Sequence, residues 1–523
     1  MKKLLSLVAS LLSSSQTNFH SASNALAVGK KRFFAVAVVA AFCLIHSPNN
    51  INAATIKDVK VRGYITNITS ANSFEIDDYK VTKDDSLTWS LENQDAAYKF
   101  KPEDIRIGTE VEVQGSLNDE TRELKAKKLT ADLEQFRKLE NTTVLTVSPE
   151  GIIKGEKDWS GVFIADGRRI RIEPTTQVLF QPNKSEKKVA EANAKAGKDK
   201  KDAKVDENEV VPTEPLKDVS EVKAGMFVTY EGIEQADGTV LASKVVFIKN
   251  ELEKGEDKMW KSLKIREKDS NFFEKTPGEL KVSTVGKFKL LPNKEVQDYV
   301  QRIGQSLIPA YQKALPDTDP QKINFRFYVI NDKDANAFAL PNGIVVINSG
   351  MLELLKNEAQ LAAVMAHEIS HATQEHTWRQ MNKDKGKRTA IMIGSLAASL
   401  AGVPAASSIL NLALGAMVNG YQRRLENQAD RIGLEYMVAA GYDPREAPQV
   451  WKLMSQKYGD KINTFFWSSH SNNATRRSFL MVKIRNDYSQ LDLNQMKRGD
   501  EKEYETIASL TKEASAKKKK TKS

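Results

Sequence analysis

The stretch Leu361–His376 carries the pattern His-Glu-x-x-His, which constrains the fold more than any other stretch of the chain. His367 and His371 are four residues apart and therefore share one face of an α-helix. Both imidazoles can then reach one ion, and Glu368 projects beside it, where it can handle a proton. A catalytic zinc takes three protein ligands and a water, so a further ligand is needed elsewhere. The alternative is a helix on which two histidines coincide by chance.

The lone cysteine, Cys43, excludes one class of zinc site. It lies in an N-terminal apolar run that is typical of a removed leader, so the mature chain has no thiolate ligand. A metzincin site would need glycine at position 374 and histidine at 377, where the chain has Gln374 and Thr377. His376 follows His371 by five residues, which turns it off the helix face. It is predicted to be a structural or surface histidine.

An acidic pair downstream provides candidates for the third ligand. Glu426 and Asp430 are four residues apart in a segment with helical patterning. One carboxylate can bind zinc while the other accepts a hydrogen bond from a ligand imidazole and so fixes its tautomer. The alternative is an exposed acidic helix face.

Five segments, in order, resemble one family over about residues 285–490. They are LPNKEVQDYVQRIG, NAFALPNGIVVINSGML, MAHEISHATQEH, RRLENQADRIGLEYMVAAGYDP and SHSNNATRR. Together they resemble the gluzincin metallopeptidases of the HtpX and CAAX-prenyl-protease group, in particular the soluble exported branch with BepA-like and mitochondrial Oma-like proteases.

The resemblance implies one Zn²⁺ per chain and a role for each residue of the motifs. The implied zinc ligands are His367, His371 and Glu426, with Glu368 as general base and Asp430 as support for a ligand. The chain departs from the family at Gln428, where glutamate is common, and at Ser471, where proline is frequent. The first departure is expected to matter little.

His470 and Arg476 are the candidates for stabilising the oxyanion that forms when water attacks a peptide carbonyl. In the BepA-like branch a histidine at this relative place can instead occupy the open zinc position and hold the enzyme inactive. His470 is therefore either a transition-state donor or a latch, and the alternative is an ordinary loop histidine.

The stretch Asn336–Ile347 is predicted to present an edge strand beside the zinc helix, since it contains a proline. An extended substrate could pair with that edge through main-chain hydrogen bonds. The residues assigned to this contact are Asn336, Ala337, Phe338 and Ala339. The alternative is a covered structural strand.

Residues 1–54 are typical of an export signal. Lys30–Arg32 is basic, Phe33–Ile45 is an apolar core too short for a typical membrane span, and small residues follow. The protein is therefore expected to be exported and periplasmic. The alternative is an uncleaved signal that anchors it to the membrane.

Two copies of a β-rich repeat follow the signal. Ile107–Gly115 and Ala224–Gly232 each place glycines seven residues apart around an alternating strand, and a hairpin then leads to a second strand. The copies predict two small OB-like β-barrels and are similar to a bacterial extracytoplasmic β-domain of unknown function.

Charge and composition argue against nucleic acid as the partner. The formal net charge is +10, but five basic side chains lie in residues 1–54 and five in residues 517–523. Without them, 68 basic side chains balance 68 acidic ones. The β-repeats also lack clustered basic and aromatic faces.

These features predict a multidomain α+β protein: two N-terminal OB-like β-barrels, then a mainly helical zinc metallopeptidase domain with a small edge-strand sheet. The predicted segments are a signal peptide at 1–54, barrel repeats at 55–135 and 140–250 with a disordered insertion at 182–218, a charged linker at 251–282, the metallopeptidase domain at 283–500 and a Lys-rich tail at 501–523. Residues 389–420 are predicted to form a soluble helical hairpin or lid packed on the domain, and the alternative is a membrane-associated hairpin.

The expected function is a zinc-dependent endopeptidase that cleaves unfolded or misassembled exported polypeptides, with the β-barrels docking a partner or the envelope. The competing hypothesis is a latched, non-proteolytic chaperone or assembly factor that retains the zinc site.

Overall fold

The structure is a computed structural model of the 523-residue chain. It describes residues 56–92, 105–133, 136–146, 152–155, 158–182, 213–249, 252, 254–263, 278–282, 286–383, 421, 423–458 and 473–516. The signal peptide, residues 389–420, His470 and the last seven residues lie outside these ranges, as does most of the predicted insertion. The chain divides into two compact units, of which one is residues 1–57 with 118–121 and the other contains the rest. No helix among the described residues has the length and apolar character needed to cross a bilayer.

The first repeat forms a six-stranded sheet in the order β1-β5-β6-β4-β3-β2. Alternation along its strands buries one face, with Val111 and Val113 inward on β5 and Leu124 and Ala126 inward on β6. The strands are β1 Ile56–Tyr64, β2 Asn67–Ser70, β3 Ser73–Ile76, β4 Tyr79–Leu91, β5 Glu110–Asn118 and β6 Glu123–Asp132.

The second repeat forms a sheet whose main path is β10-β9-β7-β13-β14-β11-β12, with β8 paired to β9. Its core includes Phe163, Ile170, Val228 and Phe247. The strands are β7 Phe136–Thr146, β8 Ile152–Lys154, β9 Trp159–Ala165, β10 Arg168–Ile172, β11 Gln177–Gln181, β12 Glu214–Pro215, β13 Phe227–Glu234 and β14 Val240–Ile248.

The repeat glycines play the same part in both copies. Gly108 and Gly225 each have a φ of +91°, a left-handed conformation that favours glycine. A Cβ on Gly115 or Gly232 would lie 2.0 or 2.3 Å from a carbonyl oxygen of the paired strand. Glycine is thus required at both positions of each hairpin.

Closure of these sheets into OB-like barrels is not confirmed. In the second sheet β10 also pairs with β14, but only through Ile170 with Val240 and Arg171 with Leu241. This short contact leaves a half-barrel, because a complete barrel needs hydrogen bonding along every seam. The coarser prediction, a β-sheet N-terminal region followed by a helical domain, is confirmed.

The helical domain contains a three-stranded sheet in the order β17-β19-β18. β17 (Arg326–Ile330) is parallel to β19 (Ile344–Asn348), and β18 (Ala337–Ala339) is antiparallel to β19. Gly343, with a φ of +89°, turns the chain between β18 and β19. A separate hairpin joins β15 (Glu279–Val282) to β16 (Gly286–Lys289).

Ten α-helices are found in the described residues. They are α1 Lys254–Ser262, α2 Lys294–Leu307, α3 Ala310–Ala314, α4 Ser349–Leu354, α5 Glu358–Thr373, α6 His376–Lys383, α7 Arg423–Ala439, α8 Glu446–Tyr458, α9 Asn473–Asp487 and α10 Glu501–Ala516. The central helix α5 is almost entirely buried and packs against α7, α8 and β18.

Helix α10 corrects the prediction that the domain ends at 500 and a Lys-rich tail begins at 501. Residues 501–516 are helical, and Tyr504 and Ile507 belong to the same apolar core as α5. The Tyr504 hydroxyl donates to the carbonyl of Leu352 at 3.1 Å. The Lys-rich composition of the last seven residues led to the prediction of a tail. The segment before them has a buried face with helical spacing, formed by Tyr504, Ile507, Thr511 and Ala514.

We expect Tyr504→Ala to lower the free energy of unfolding by about 3–5 kcal/mol, the usual cost of deleting a large buried aromatic side chain. Chemical denaturation measures it. Lys502→Ala, at an exposed position of the same helix, should change the value by less than ~0.5 kcal/mol. An unchanged unfolding midpoint for Tyr504→Ala would show that α10 does not belong to the domain core.

Candidate metal centre

Helix α5 is held firmly at its N-terminus. Asn357 caps it by accepting a hydrogen bond from the backbone N–H of Gln360 at 2.9 Å. Glu358 accepts hydrogen bonds from the hydroxyls of Tyr299 at 2.9 Å and Tyr442 at 2.6 Å. These contacts fix the position of the helix that carries the His-Glu-x-x-His pattern.

Helix α7 lies close against α5 because Gly433 has no side chain at the contact. A Cβ there would lie 3.0 Å from the backbone nitrogen of His367. The close approach brings Glu426 and Asp430, which are one turn apart on α7, beside the two histidines of α5.

Three predicted ligand side chains converge in the structure. His367 Nε2 lies 3.0 Å from His371 Nε2 and 3.4 Å from Glu426 Oε2, and His371 Nε2 lies 3.6 Å from Glu426 Oε1. All three residues are buried, and they are the one metal-compatible cluster of this kind among the described residues. Ligands about 2.0–2.1 Å from a tetrahedral zinc are about 3.3 Å apart. The donor set and its spacing therefore fit zinc.

Asp430 lies on the other nitrogen of His367. Its Oδ1 is 3.0 Å from Nδ1 of His367, so the imidazole donates to the carboxylate and keeps Nε2 for an ion. Arg476 holds that carboxylate from behind, with Nε 2.6 Å from Asp430 Oδ2. The Arg476 guanidinium also lies 3.5 Å from the ring centre of Trp451.

Arg476 is thus placed differently from the predicted oxyanion donor. Its side chain is fully buried, two of its nitrogens bind Asp430, and Nη1 lies 3.3 Å from Glu426 Oε2. These contacts orient the carboxylates of the cluster. The guanidinium of Arg476 is therefore bonded to carboxylates of the protein itself, and its planar shape suits such a pairing.

His371 is positioned by two side chains that sequence reasoning did not assign to the site. Its Nδ1 lies 2.9 Å from Nδ1 of His376. Its ring stacks on Tyr421 with centroids 4.1 Å apart. His376 is fully buried and reaches back because α5 ends at Thr373 and Glu375 has a φ of +54°. A helix continued past Thr373 would have placed His376 elsewhere. Because His376 is buried, the surface alternative is wrong and the structural one fits.

Glu368 lies on the same helix beside the cluster and is buried. Burial raises the pKa of its carboxyl to about 8, with Glu426 adding to the effect, while His367, Arg476 and the backbone N–H of Ala339 oppose it. The hydrogen bond from Ala339 joins Glu368 to β18. The outer edge of β18 therefore faces the cluster.

The four residues predicted to bind substrate divide into two groups. β18 is an edge strand of its sheet, as predicted, and it contains Ala337, Phe338 and Ala339. Asn336 precedes the strand, and its buried side chain accepts a hydrogen bond from the backbone N–H of Ala337 at 2.9 Å. Its amide is therefore used inside the protein.

His367 lies between two carboxylates of the cluster. Burial and Arg476 lower the pKa of His367, but hydrogen bonds to Asp430 and Glu426 outweigh them and raise it to about 9. A metal ion held by Nε2 would compete with a proton for that nitrogen, because an imidazole ligand must be unprotonated there.

A small cavity lies next to His367 and Glu368. It is lined mainly by apolar side chains of α5, α7 and α8, among them Val364, Leu434 and Trp451. The cavity places apolar surface beside the cluster, as in many ligand sites.

Comparison with known proteins agrees with the site geometry. Residues 294–482 match the model of peptidase family M48, and residues 62–130 match a domain of unknown function, DUF5666. The beta-barrel assembly-enhancing protease of Escherichia coli is 32% identical over 179 residues, which cover 33% of this chain and 35% of the relative. The mitochondrial metalloendopeptidase OMA1 of Saccharomyces cerevisiae is 33% identical over 186 residues, covering 33% of this chain and 52% of the relative.

The chain therefore spans about a third of the length of the bacterial relative and about half of the yeast relative. The mitochondrial metalloendopeptidase OMA1 of Arabidopsis thaliana is 29% identical over 158 residues, 30% of this chain and 31% of the relative. The resemblance inferred from the five motif segments is confirmed.

Proposed function

Because residues 294–482 form a peptidase family M48 domain, we propose that the protein is a zinc-dependent endopeptidase that cleaves unfolded or misassembled exported polypeptides. The observation that carries the proposal is the convergence of His367, His371 and Glu426 beside Glu368. One Zn²⁺ per chain would be held by the first three side chains.

The residues of the chain supply the remaining chemistry. Bound zinc contributes Lewis acidity, which lowers the pKa of a water towards ~7. Glu368 takes the proton of the attacking water and returns it to the leaving amine. Asp430 keeps His367 in the tautomer that a ligand needs, and Arg476 keeps Asp430 in place.

Substrate binding is assigned to the edge of β18. The backbone N–H of Ala339 is bonded to Glu368, so an extended polypeptide lying along this edge would pass beside Glu368. Main-chain pairing reads an extended conformation more than a sequence. This suits unfolded substrates, for which folded structure does not cover the backbone.

The pattern at residues 1–54 supports export, and we place the protein in the periplasm, with membrane attachment if the signal is retained. The two N-terminal sheets are proposed to have OB-like topology and to dock a partner or the envelope. No role in nucleic-acid binding is proposed for these two sheets.

We expect the zinc-loaded full chain to cleave reduced, unfolded casein, to lose that activity in a zinc chelator and to regain it when zinc is restored, because the ion supplies the Lewis acid. Gel electrophoresis of the products measures cleavage. Cleavage by the His470→Ala variant but not by the wild type would support the hypothesis that His470 holds the enzyme inactive. Cleavage that survives chelation would contradict a metallopeptidase. No cleavage by either chain, together with suppressed aggregation of casein, would favour the chaperone.

A further inference from the structure

A turn of the second β-sheet enters the peptidase domain next to the metal centre. Asp166 and Gly167 connect β9 to β10, and both have positive φ angles, +57° and +59°. Asp166 is fully buried. Arg431 of α7 donates to the Asp166 carbonyl at 2.8 Å and to its Oδ1 at 2.6 Å.

Gly167 makes this docking sterically possible. A Cβ at Gly167 would lie 2.6 Å from Cβ of Arg431 and 2.7 Å from its backbone. The carbonyl of Gly167 also accepts a hydrogen bond from Lys483 of α9. The turn is thus fitted to α7, which carries Glu426, and to α9, which carries Arg476.

Asp166 reaches the site through Gln428, and the chemistry of the neighbours fixes the direction of the Gln428 amide. Gln428 Nε2 lies 2.7 Å from Asp166 Oδ1, which as a carboxylate oxygen only accepts. Gln428 Oε1 lies 3.1 Å from Nη1 of Arg379, which only donates. The amide oxygen must therefore face the side of Arg379 and His376.

That direction sets the tautomer of His376. Nε2 of His376 lies 2.9 Å from Gln428 Oε1, so this nitrogen carries the proton and donates it. In the neutral imidazole the other nitrogen, Nδ1, is then an acceptor. It lies 2.9 Å from Nδ1 of His371, which must in turn donate. His371 is left with an unprotonated Nε2, the atom that faces His367 and Glu426.

We infer that the Asp166–Gly167 turn is a positioning element of the metal centre, which acts through Gln428 and His376 to hold His371 as the Nδ1–H tautomer. The inference rests on the proposed metal site and deepens it. The second β-sheet thereby contributes to metal binding. No feature of the repeat sequences indicates this contribution. Gln428 stands where glutamate is common in the family, and this departure was expected to matter little. Its amide nitrogen donates to Asp166, which an ionised glutamate side chain could not do.

Single changes test this chain of hydrogen bonds from Asp166 through Gln428 and His376 to His371, which we call the relay. Gln428→Glu would place a second carboxylate against Asp166, and Asp166→Asn would remove the charged acceptor and the counter-charge of Arg431. We expect each single change, and His376→Phe, to raise the zinc dissociation constant about 10–100-fold, as for other outer partners of ligands.

Competition with a chromophoric chelator on the full chain measures these zinc dissociation constants. Thr142→Val is the matched control, since it removes another buried hydrogen bond from the second sheet to the peptidase domain, 3.2 Å from Oγ1 to Gln374 Oε1, outside the relay. It should bind zinc like the wild type.

Folded Gln428→Glu and His376→Phe variants with unchanged zinc dissociation constants would overturn the inference. A purely structural role would change the unfolding midpoint of the metal-free variants and leave the zinc constants alone, and this too would overturn it.

A second readout needs no variant to fold. The chain has six histidines, so ¹⁵N-histidine labelling of the metal-free wild type gives few two-bond ¹H–¹⁵N correlations, and their pattern separates the two tautomers. The relay requires Nδ1–H in His371 and Nε2–H in His376, and the opposite pair would refute it. Neither readout uses a peptide substrate, so a failure of proteolysis is distinguishable from a failure of the relay. If the wild type binds no zinc, the proposed function fails and the tautomers still decide the relay.

Discussion

Glu368→Gln is expected to lower the turnover of an unfolded substrate by about 10²–10⁴-fold while zinc remains bound. Loss of a positioned general base costs about this much. The amide has nearly the same shape as the carboxyl group but cannot take the proton of the attacking water. Glu368 is buried and so removed from bulk solvent, and bulk water therefore cannot readily replace it as the base. Turnover of casein and zinc content are measured on the same preparation.

Glu358→Gln is the control matched in burial and in helix. Glu358 also lies on α5 and is buried, but its partners are the hydroxyls of Tyr299 and Tyr442 at the far end of the helix. This variant should keep wild-type turnover. If Glu368→Gln retains turnover as well, Glu368 is not the base and the proposed mechanism is wrong.

Glu426→Gln is expected to raise the zinc dissociation constant by more than ~100-fold, beyond the range typical of outer partners. The change removes the negative charge from the ligand set and leaves Arg476, 3.3 Å from Oε2, without that ion pair. A neutral amide oxygen is also a weaker ligand for zinc, which is usually held by thiolate, imidazole or carboxylate. Chelator competition measures the constant.

Glu435→Gln provides the comparison on the same helix, since Glu435 pairs with Lys483 at 3.1 Å, away from the histidines. It should bind zinc as tightly as the wild type. Equal zinc constants for Glu426→Gln and Glu435→Gln would remove Glu426 from the ligand set.

Local patterns account for how the residues at the centre of the candidate site are spaced. His367 and His371 share a helix face because helical periodicity requires it, and Asn357 caps that helix because its side chain can accept from the first turn. Glu426 and Asp430 are one turn apart for the same reason. Short-range geometry determines each of these features, so each can be predicted from the sequence.

Long-range packing decides what could not be predicted. Asp166 and Gln428 are 262 positions apart, and no periodicity links them. Arg476 binds Asp430 only because α9 packs beside α7. His376 depends on the left-handed Glu375, a conformation that glutamate seldom adopts. Such contacts follow from the assembled domain, so the sequence does not reveal them.

The most direct test of the central claim is anomalous diffraction at the zinc edge from crystals of the zinc-loaded protein. One strong peak per chain is expected, about 2.0–2.2 Å from Nε2 of His367, Nε2 of His371 and a carboxylate oxygen of Glu426. A peak bound by other residues, or zinc-loaded crystals without a peak between these three side chains, would contradict it.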